Sequence, residues 1–440
     1  MEKEAIKIVK KLQSLGFESY FAGGFVRDKL LGIKSHDIDI VTSATPDEVE
    51  KAFDSTLPIG KQFGIILVNL ETHSFHVATF RKEDGYLDQR HPTKVTFTSA
   101  EHDAQRRDFT INGIFFDPIK DKYFDFVNGL DDIKSKTIRF IGNPKERIQE
   151  DNLRVIRAVR LKVAFNFEYD KDTFLAIREK AQKIMNVSPE RIRDELNKIM
   201  VSPNRHLGLV ELSQSGILKY IIPELEKLKG VPQPIEYHHE GDVFTHTYLA
   251  LKALPNDASE HLAWAVMLHD IAKPQTLIRK NGRIIFHDHA KISSQIARKI
   301  LKRLKFPNFE IEDICWLVEN HMKVGDINKM RPAKRLEFLL DLKFNDLLKL
   351  TKADSMGTYP INLSLVSKIE IEKKKALLWK KEKEQKSRLK FFSGDNLIEL
   401  GFKPGKKFSE ILDDLNDEIV EGNVRNKSEA IKFVTQKYKA

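Results

Sequence analysis

Before about Pro144, apolar residues come in short runs separated by polar turns. The runs YFAGG, DIDIVTS, GIILVNL and SFHVATF have the length of strands and contain the aromatic or β-branched residues that strands favour. TPDEVEKAF opens on a threonine that can cap a helix, and MEKEAIKIVKKLQSLGF spaces its apolar residues as an amphipathic helix does. The pattern predicts a small mixed sheet with helices on one face, rather than a long parallel sheet.

From about Pro144 the apolar period becomes helical, first in KERIQEDNLRVIRAVRLKVAF, and helices are expected from there to the end. The segment LKGVPQPIEYHHEGD (228–242) is rich in proline and glycine and predicts a loop that introduces a new unit. The charged run IEIEKKKALLWKKEKEQKSRLK (369–390) predicts a solvated helix, with an RNA-contacting helix as the alternative. The predicted fold class is α+β, with a mixed-sheet domain first and helical domains after it.

Two aspartates on the second predicted strand form a candidate metal site. Successive side chains of a strand point to opposite faces, so Asp37 and Asp39 share one face while Ile38 and Ile40 face the core. Mg²⁺ prefers carboxylate oxygens and keeps phosphate or water as its other ligands. A lone D-x-D pair is also common on solvated strand edges, so the residues around it decide between the two interpretations.

The segment in front of these aspartates predicts an anion site. Gly23 and Gly24 remove side chains where a backbone must approach phosphate, although a glycine pair by itself is usually only a turn. VRDKLL then predicts a helix whose N-terminus favours an anion, and Arg27 in its first turn offers two donors to phosphate. A strand, a glycine pair, a helix with arginine and D-x-D, in that order, predict a site for a nucleoside triphosphate and its metal.

Four segments resemble, in order and spacing, the motifs of the class II tRNA nucleotidyltransferase and bacterial poly(A) polymerase family. Residues 20–40 resemble its first motif, RRDFTIN (106–112) its second, EDNLRVIRAVR (150–160) its nucleotide-selecting motif and ERIRDELNKIM (190–200) its neck motif. The resemblance implies a palm domain similar to that of polymerase β, followed by an all-helical neck and body. It also implies nucleotide transfer to the 3′ end of tRNA.

The nucleotide-selecting motif carries an acid and arginines at every third position of one predicted helix: Asp151, Arg154, Arg157 and Arg160. A carboxylate accepts from an exocyclic amino group and a guanidinium donates to a ring nitrogen, which suits cytosine and adenine but not uracil or guanine. Asp151 and Arg154 would therefore select C and A without a template. Taken alone, such a stripe is more typical of a salt-bridged solvent-facing helix, and the match to the family's base-reading residues favours selection.

The resemblance assigns roles to further residues. Arg157 and Arg160 would contact the sugar or phosphates of the nucleotide, while Arg107 and Asp108 would contact the nucleotide and brace the palm. Asn112 is expected to be a structural cap or turn residue.

A polar, turn-rich segment, FRKEDGYLDQRHPTKVTF (80–97), separates the first two motifs. In the family, a flexible loop here is needed for adding the terminal A, so its presence implies A addition. The preceding strand carries His76 where relatives often have an acid. Only Asp37 and Asp39 are therefore predicted as Mg²⁺ ligands, and a third carboxylate is left open.

A second series of potential ligands lies on later predicted helices: His246, His269, Asp270, His289, His321 and Asp354. Imidazole and carboxylate groups suit a transition metal or Mg²⁺. LHDIAKP, which contains His269 and Asp270, resembles an HD domain. This resemblance implies an HD fold with an additional divalent metal site of His246, His269, Asp270 and Asp354. An RNA-binding body with an idle metal site is favoured over a phosphohydrolase, because HD folds appended to nucleotidyltransferases can serve in that way.

The last segment, SGDNLIELGFKPGKKFSEILDDLNDEIVEGNVRNKSEAIKFV, resembles the C-terminal extension of bacterial HD-bearing members. Its two amphipathic helices predict a compact tail that would meet the tRNA elbow. The expected domains are a nucleotidyltransferase palm over 1–143, a helical neck for RNA and nucleotide over 144–230, a helical HD-like domain over 231–390 and a helical tail over 391–440.

Composition narrows the partners and the compartment. Lys and Arg number 74 against 64 Asp and Glu, a net charge of +10, which favours a polyanionic partner. The single cysteine, Cys315, excludes an internal disulfide and is expected in the core. The N-terminal helix lacks the apolar stretch of a signal peptide, and no apolar run has the length to cross a bilayer. We therefore expect a cytoplasmic protein without a membrane partner.

The leading functional hypothesis is a Mg²⁺-dependent, template-independent tRNA nucleotidyltransferase that adds CCA from CTP and ATP. An A-adding enzyme or a poly(A) polymerase has nearly the same motifs, so the sequence barely separates these products. An HD-domain phosphohydrolase and a non-catalytic RNA-binding module are alternatives of other classes. The oligomeric state is left open.

Overall fold

The structure, a computed structural model, describes residues 1–35, 37–86, 92–386 and 391–438. Contacts between Cα atoms divide the chain into two compact units, Met1–Glu226 and Lys227–Ala440. The finer division into four domains stays a prediction. None of the helices in the described ranges is both long enough and apolar enough to pass through a membrane.

The strands of the first unit are β1 (Ser19–Ala22), β2 (Asp39–Thr42), β3 (Thr56–Gly60), β4 (Ile65–Asn69), β5 (Ser74–Thr79), β6 (Arg81–Tyr86), β7 (Pro92–Phe97), β8 (Ile114–Asp117), β9 (Lys122–Asp125), β10 (Thr137–Ile138) and β11 (Glu168–Tyr169). Seven of them form one sheet in the order β3-β4-β5-β2-β1-β8-β9. Within this sheet β2 and β5 run parallel and the other neighbours run antiparallel, so the predicted mixed sheet is confirmed.

The helices of the first unit are α1 (Glu2–Ser14), α2 (Gly24–Leu30), α3 (Pro46–Ala52), α4 (Ala100–Gln105), α5 (Gly129–Lys134), α6 (Pro144–Glu150), α7 (Arg154–Phe165), α8 (Lys171–Lys180), α9 (Pro189–Met200), α10 (Arg205–Gln214), α11 (Leu218–Ile221) and α12 (Pro223–Glu226). The predicted cap of α3 is present, because the backbone N–H of Thr45 donates to Glu48 Oε2 at 2.7 Å.

The sheet has a core on each face because alternate side chains of a strand point to opposite sides. Phe21 packs with α1, α2 and α3, whereas its neighbours Tyr20 and Ala22 pack with Phe80 and Phe115 on the other face. Helix α4 joins this second core. The expectation of helices on one face is therefore wrong for α4, whose HDAQ sequence carries too few apolar residues to signal a packed helix.

The nucleotide-selecting motif lies on two helices, not on the single helix that was predicted. Helix α6 ends at Glu150, Asp151 is extended with φ −144°, and α7 begins at Arg154. Asp151 Oδ1 accepts from the backbone N–H of Leu153 at 3.1 Å. Such local side-chain bonds compete with helical hydrogen bonds, which explains the break at Asp151 and Asn152.

The hairpin formed by β6 and β7 covers most of the predicted loop segment, with Arg81 paired to Phe97 at its base. Residues 87–91 of that segment lie outside the described residues. The proposed link between this segment and A addition stays a prediction.

The helices of the second unit are α13 (Val243–Ala253), α14 (Glu260–Leu268), α15 (Lys273–Thr276), α16 (His289–Arg303), α17 (Asn308–Asn320), α18 (Pro332–Leu340), α19 (Phe344–Gly357), α20 (Ser364–Lys386), α21 (Gly394–Glu399), α22 (Lys406–Glu421) and α23 (Lys427–Tyr438). The expected charged helix corresponds to α20, and residues 387–390 of that prediction lie outside the described ranges. Cys315 is buried on α17, as expected. Helices α21 to α23 share their own apolar core, which confirms a compact tail.

The expectation of helices throughout this part is wrong at one hairpin. Strands β12 (Leu277–Lys280) and β13 (Arg283–Phe286) pair around Asn281 and Gly282. Both turn residues have positive φ, 51° and 75°, which is the requirement of a type I′ turn. The Asn-Gly pair between two apolar runs is the local signal that the helical interpretation overlooked.

Candidate active site

Asp37 and Asp39 lie at the edge where β1 ends and β2 begins. Asp39 pairs with Ala22, and the side chains of Ile38 and Ile40 are fully buried while both aspartates are exposed, so the predicted alternation is confirmed. The predicted strand is too long at its start, because β2 begins at Asp39 and Asp37 precedes it. One ligand atom from each of Asp37, Asp39 and His76 lies within 4.8 Å of the other two. This oxygen and nitrogen set fits a divalent cation. The third group near these aspartates is the imidazole of His76, and a third carboxylate stays open.

The electrostatics of this cluster favour a cation. Desolvation and the nearby charge of Asp37 raise the pKa of Asp39, while Arg107 and His76 act in the opposite direction. Two carboxylates in close proximity repel each other, and a divalent ion between them would remove that repulsion.

A cleft of about 370 Å³ adjoins Asp39. Its lining contains every residue predicted to bind the nucleotide, namely Gly23, Gly24, Arg27, Arg107, Asp108, Asp151, Arg154, Arg157 and Arg160, together with Arg106 and Asn112. Asp39, Asp151 and Arg154 therefore share one cleft. The sequence motifs are brought together here by the sheet edge, α2 and the break between α6 and α7.

Gly23 allows the chain to turn tightly beside the metal candidates. Its φ is 69°, and a Cβ added there would lie 3.4 Å from both Arg107 Nη1 and Asp39 Oδ2. A side chain would therefore be strained by the backbone and would compete with these two groups for space. The absence of a side chain keeps Arg107 and Asp39 at the rim of the same cleft.

Arg27 is fixed from three sides. Its Nη2 and Nε bond Asp28 Oδ1 at 2.7 and 2.9 Å, Nη1 donates to Asn112 Oδ1 at 2.8 Å, and the guanidinium lies 4.4 Å from the ring centre of Phe165. Asn112 in turn donates from Nδ2 to Asp108 Oδ1 at 3.0 Å. Asn112 is a turn residue, as expected, since it ends a short 3-10 helix over Thr110–Asn112, and its amide also joins Arg27 to Asp108.

Asp108 is buried, and its oxygens are engaged by protein groups. Oδ1 accepts from the N–H of Phe109 at 2.8 Å, and Oδ2 lies 2.7 Å from Arg157 Nη2. Burial opposes ionisation, but the charge of Arg157 and the bond from Asn112 outweigh it and hold the pKa of Asp108 below its usual value. This arrangement fits the bracing role predicted for Asp108 better than direct contact with a nucleotide.

Asp103 on α4 is a site residue that sequence reasoning missed. Its fully buried carboxylate accepts from Arg106 Nη2 at 2.7 Å, from Arg107 Nη2 at 3.1 Å and from the N–H of Arg81 at 3.2 Å. Burial opposes its ionisation, but Arg107 and Arg106 overcome this and lower its pKa. The signal in the sequence was the spacing, because Asp103 lies three residues before Arg106 and four before Arg107, and side chains at these separations on a helix can meet.

The predicted base-reading pair is held by residues that the sequence reasoning did not name. Arg191 on α9 donates from Nη2 to Asp151 Oδ2 at 2.9 Å. Arg154 Nη1 donates to Glu150 Oε2 at 2.6 Å and to the carbonyl of Arg147 at 2.8 Å. Because both groups are oriented before any ligand binds, the pair presents a fixed acceptor and donor to the cleft. The neck motif, which carries Arg191, thus supports the nucleotide-selecting motif directly.

In the second unit, the predicted histidines and aspartates also meet. Asp270 is buried with Oδ2 3.2 Å from His269 Nε2 and Oδ1 3.4 Å from His289 Nε2. Asp354 Oδ1 lies 3.0 Å from His246 Nε2 and 3.7 Å from His269 Nε2. Two candidate metal groups result, one of His246, His269 and Asp354 and one of Asp270, His289 and His321.

The histidines of these groups are oriented as metal ligands usually are. The Nδ1 atoms of His269, His289 and His321 bond the carbonyls of Val266, Phe286 and Val318 at 2.7, 3.1 and 2.6 Å. A carbonyl only accepts, so Nδ1 carries a proton in each ring and Nε2 points toward the aspartates. Burial and the charge of His269 lower the pKa of His321 to about 4, which keeps that ring neutral. Burial opposes the protonation of His269, but Asp270 and Asp354 overcome it and raise the pKa of His269 to about 10.

The loop 228–242 lies at the start of the second unit, as predicted, and it also contributes to this site. Its Glu240 lies 2.6 Å from His238 Nδ1 and 3.2 Å from His246 Nδ1. A cavity of about 450 Å³ adjoins the cluster, with Asp270, His289, His321 and Lys273 in its lining. Lys273 Nζ lies 2.6 Å from Asp270 Oδ2, the same oxygen that faces His269, so a cation at the cavity wall adjoins this aspartate.

The fold and the cleft define a nucleotidyltransferase with an appended HD domain, and family models agree with this class. The poly A polymerase head domain matches residues 19–139, the probable RNA and SrmB-binding site of polymerase A matches 166–229, and the HD domain matches 235–353. Two curated CCA-adding enzymes match nearly the whole chain. That of Streptococcus sanguinis is 31% identical and that of Streptococcus gordonii 32% identical, each over 98% of this chain and 96% of its own length. The chain belongs to the family of CCA-adding enzymes.

Solved structures of this family share the fold. The CCA-adding enzyme of Bacillus stearothermophilus in complex with CTP superposes with a TM-score of 0.70 at 24% identity, covering 99% of this chain and 98% of that one. The enzyme of Thermotoga maritima complexed with tRNA gives 0.60 at 21% identity, covering 98% and 94%.

Proposed function

We propose that this protein is a template-independent tRNA nucleotidyltransferase that adds C and A to the 3′ end of tRNA from CTP and ATP. The observation that carries the proposal is the shared cleft in which the Asp37 and Asp39 cluster and the Asp151 and Arg154 pair meet. The family relatives named as CCA-adding enzymes, and the solved relatives with CTP and with tRNA, support the choice of substrates.

Base choice follows from the fixed polar groups of the cleft. Cytosine and adenine both present an amino donor beside a ring-nitrogen acceptor, which match the Asp151 carboxylate and the Arg154 guanidinium. Uracil and guanine present the reverse order and would leave these polar groups unsatisfied. Arg191 holds Asp151 in place and Glu150 holds Arg154. These two fixed side chains can therefore select the base without a template strand.

The remaining cleft residues suit a triphosphate. Arg27, Arg107, Arg157 and Arg160 surround a cleft whose metal candidates lie at one rim, so phosphate charge can be neutralised along its length. Mg²⁺ bound to Asp37 and Asp39 would lower the cost of forming the attacking 3′ alkoxide and orient the α-phosphate. The new bond joins the 3′ oxygen to the α-phosphorus, and pyrophosphate leaves with the broken bond.

One incorporation assay tests this proposal and separates its near alternatives. Purified protein with Mg²⁺ is offered tRNA transcripts that end before CCA, after C and after CC, with labelled CTP and ATP supplied separately. We expect C on the first two transcripts, A on the third alone, and neither U nor G on any. Asp39→Asn should abolish incorporation, whereas Asp54→Asn, at an exposed site of the same unit, should not.

Each alternative function predicts a different result in the incorporation assay. Addition of A but not C would indicate an A-adding enzyme, and long A tracts on unrelated RNA would indicate a poly(A) polymerase. Binding of tRNA without any incorporation would contradict the proposal and favour a binding module.

A second candidate function is a metal-dependent phosphohydrolase in the second unit. It is favoured by Asp270, whose two oxygens face different histidine groups, so that this aspartate can bridge two divalent ions. Lys273 at the cavity wall would bind a phosphoryl oxygen of the substrate. Hydrolysis of a phosphate ester in the presence of Mn²⁺ or Ni²⁺, lost in Asp270→Asn, tests this role. Retention of hydrolysis in that variant would contradict it.

A further inference from the structure

His76 occupies a position from which an imidazole can join the metal candidates of the first unit. Strands β2 and β5 are parallel neighbours with Ile40 paired to Val77, so Asp39 and His76 lie side by side at the sheet edge. Phe75 and Val77 are buried whereas His76 is exposed, which places its ring on the other face of the sheet from Phe75 and Val77. The fold itself therefore directs His76 toward the aspartates.

The distances agree with this placement. His76 Nδ1 lies 4.0 Å from Asp39 Oδ1, and one ligand atom of each of Asp37, Asp39 and His76 lies within 4.8 Å of the others. The side chains of His76 and Asp39 are about half exposed, at 48% and 53%, so small rotamer changes can bring all three atoms onto one ion. A groove of about 300 Å³ that contains both His76 and Asp39 gives an ion access to the cluster.

We propose that His76 is a third protein ligand of the metal at Asp37 and Asp39, and that it shifts the preference of this site from Mg²⁺ toward Mn²⁺. Carboxylates suit both ions, whereas an imidazole nitrogen binds transition metals better than it binds Mg²⁺. Three protein ligands leave the other positions of the ion to phosphate and water oxygens. The inference rests on the proposed function, since a nucleotide must bring its metal to this cleft.

Pulsed EPR of Mn²⁺ on the full-length protein with CTP tests the ligand directly. A directly bound imidazole gives a nitrogen modulation that carboxylates do not give. Mn²⁺ bound to the histidines of the second unit gives a nitrogen modulation too. The signal of the first unit is therefore taken as the part of the Mn²⁺ spectrum that Asp39→Asn removes. We expect His76→Ala to remove the nitrogen modulation from the signal of the first unit. The same variant should weaken Mn²⁺ binding at Asp37 and Asp39 by about tenfold.

Two further variants make the test specific. His76→Asp should lose the nitrogen modulation but keep metal binding, with the ratio of Mn²⁺ to Mg²⁺ affinity lowered. Ser74→Ala, on the same strand and the same face, should change neither quantity. Activity measured with each metal should follow the same order.

Contrary results fall into two groups. If the nitrogen modulation and the Mn²⁺ affinity of the first unit survive in His76→Ala, or if Asp39→Asn removes no bound Mn²⁺, His76 is not a ligand and the inference is overturned. Failure of the proposed function looks different, because wild-type protein would then incorporate neither C nor A with either metal. Normal incorporation with unchanged Mn²⁺ binding in His76→Ala would reject only the inference.

Discussion

The two candidate metal-binding clusters of this protein use the same kinds of ligand in opposite surroundings. In the first unit, Asp37 and Asp39 are exposed, and Asp39 lines a cleft together with six arginines. In the second, Asp270 is 2% exposed and is surrounded by imidazoles whose Nδ1 atoms are already bonded. Only the first arrangement offers many cations to a polyanion.

This difference indicates how each cluster would hold its ion. An exposed pair of carboxylates binds Mg²⁺ weakly on its own and gains affinity when a triphosphate supplies further oxygens. Buried, preoriented histidines hold a transition metal without help from a substrate. We therefore expect the first unit to exchange its metal with each nucleotide and the second unit to retain its metal through purification.

The largest expected effects come from replacing one aspartate in each cluster in turn. Asp39→Asn should lower incorporation of C and A by about a thousandfold or more while leaving the retained metal in place. Asp270→Asn should release that metal and leave incorporation unchanged. Rapid-quench incorporation and the metal content of each purified variant measure the two effects. Loss of incorporation in both variants would show that the clusters are not independent.

The local parts of the first site were predictable because they depend on short-range rules. Alternation along a strand places Asp37 and Asp39 on one face, and Gly23 serves a turn that requires positive φ. Both follow from a few adjacent residues. The arginines of the nucleotide-selecting motif were also correctly brought to the cleft by the family resemblance.

The parts that were missed have different causes. Only tertiary packing brings Arg191 to Asp151, which lies 40 residues away in sequence. Asp103 and Glu240 lie only 4 and 6 residues from Arg107 and His246, and they look like ordinary charged residues. The break at Asp151 was missed because helical periodicity continues across it, while one side-chain bond to Leu153 ends α6. Helical periodicity of the apolar residues therefore predicts that a helix is present better than it predicts where the helix ends.

The next largest effect concerns base choice. Asp151→Asn replaces an acceptor oxygen with an amide that can also donate, so the preference for C and A over U and G should fall by at least about a hundredfold. Arg154→Ala should have a similar effect through loss of the donor. Ratios of kcat/KM for the four nucleoside triphosphates measure the preference. Arg178→Ala, an exposed arginine of the same unit, is the control.

Equal losses for all four nucleotides in these variants would contradict base selection. Such a result would instead assign the pair to general nucleotide binding or to folding. In both variants the metal content of the second unit should stay unchanged, since neither residue belongs to that cluster.

A smaller effect is expected at Arg191, which donates to Asp151 but is not among the residues that line the cleft. Arg191→Ala should lower the preference for C and A by about tenfold, since Asp151 loses one charge-assisted bond. Arg191→Lys should restore part of it. Arg193→Ala on the same helix, where the guanidinium bonds Asp194, is the matched control. A loss of overall activity without a change in base preference would contradict the positioning role.

The smallest effect is expected at Asn112, whose amide links Arg27 to Asp108. Asn112→Ala removes two hydrogen bonds and should lower the free energy of unfolding by about 1–3 kcal/mol, with a severalfold rise in KM for CTP. Asn112→Asp keeps an acceptor for Arg27 but places a second carboxylate beside Asp108, so it should destabilise the fold more while changing KM less. Urea unfolding and steady-state kinetics separate these two consequences. If both variants change KM equally, Arg27 does not depend on Asn112 for its position, and the cleft is more rigid than its hydrogen bonds indicate.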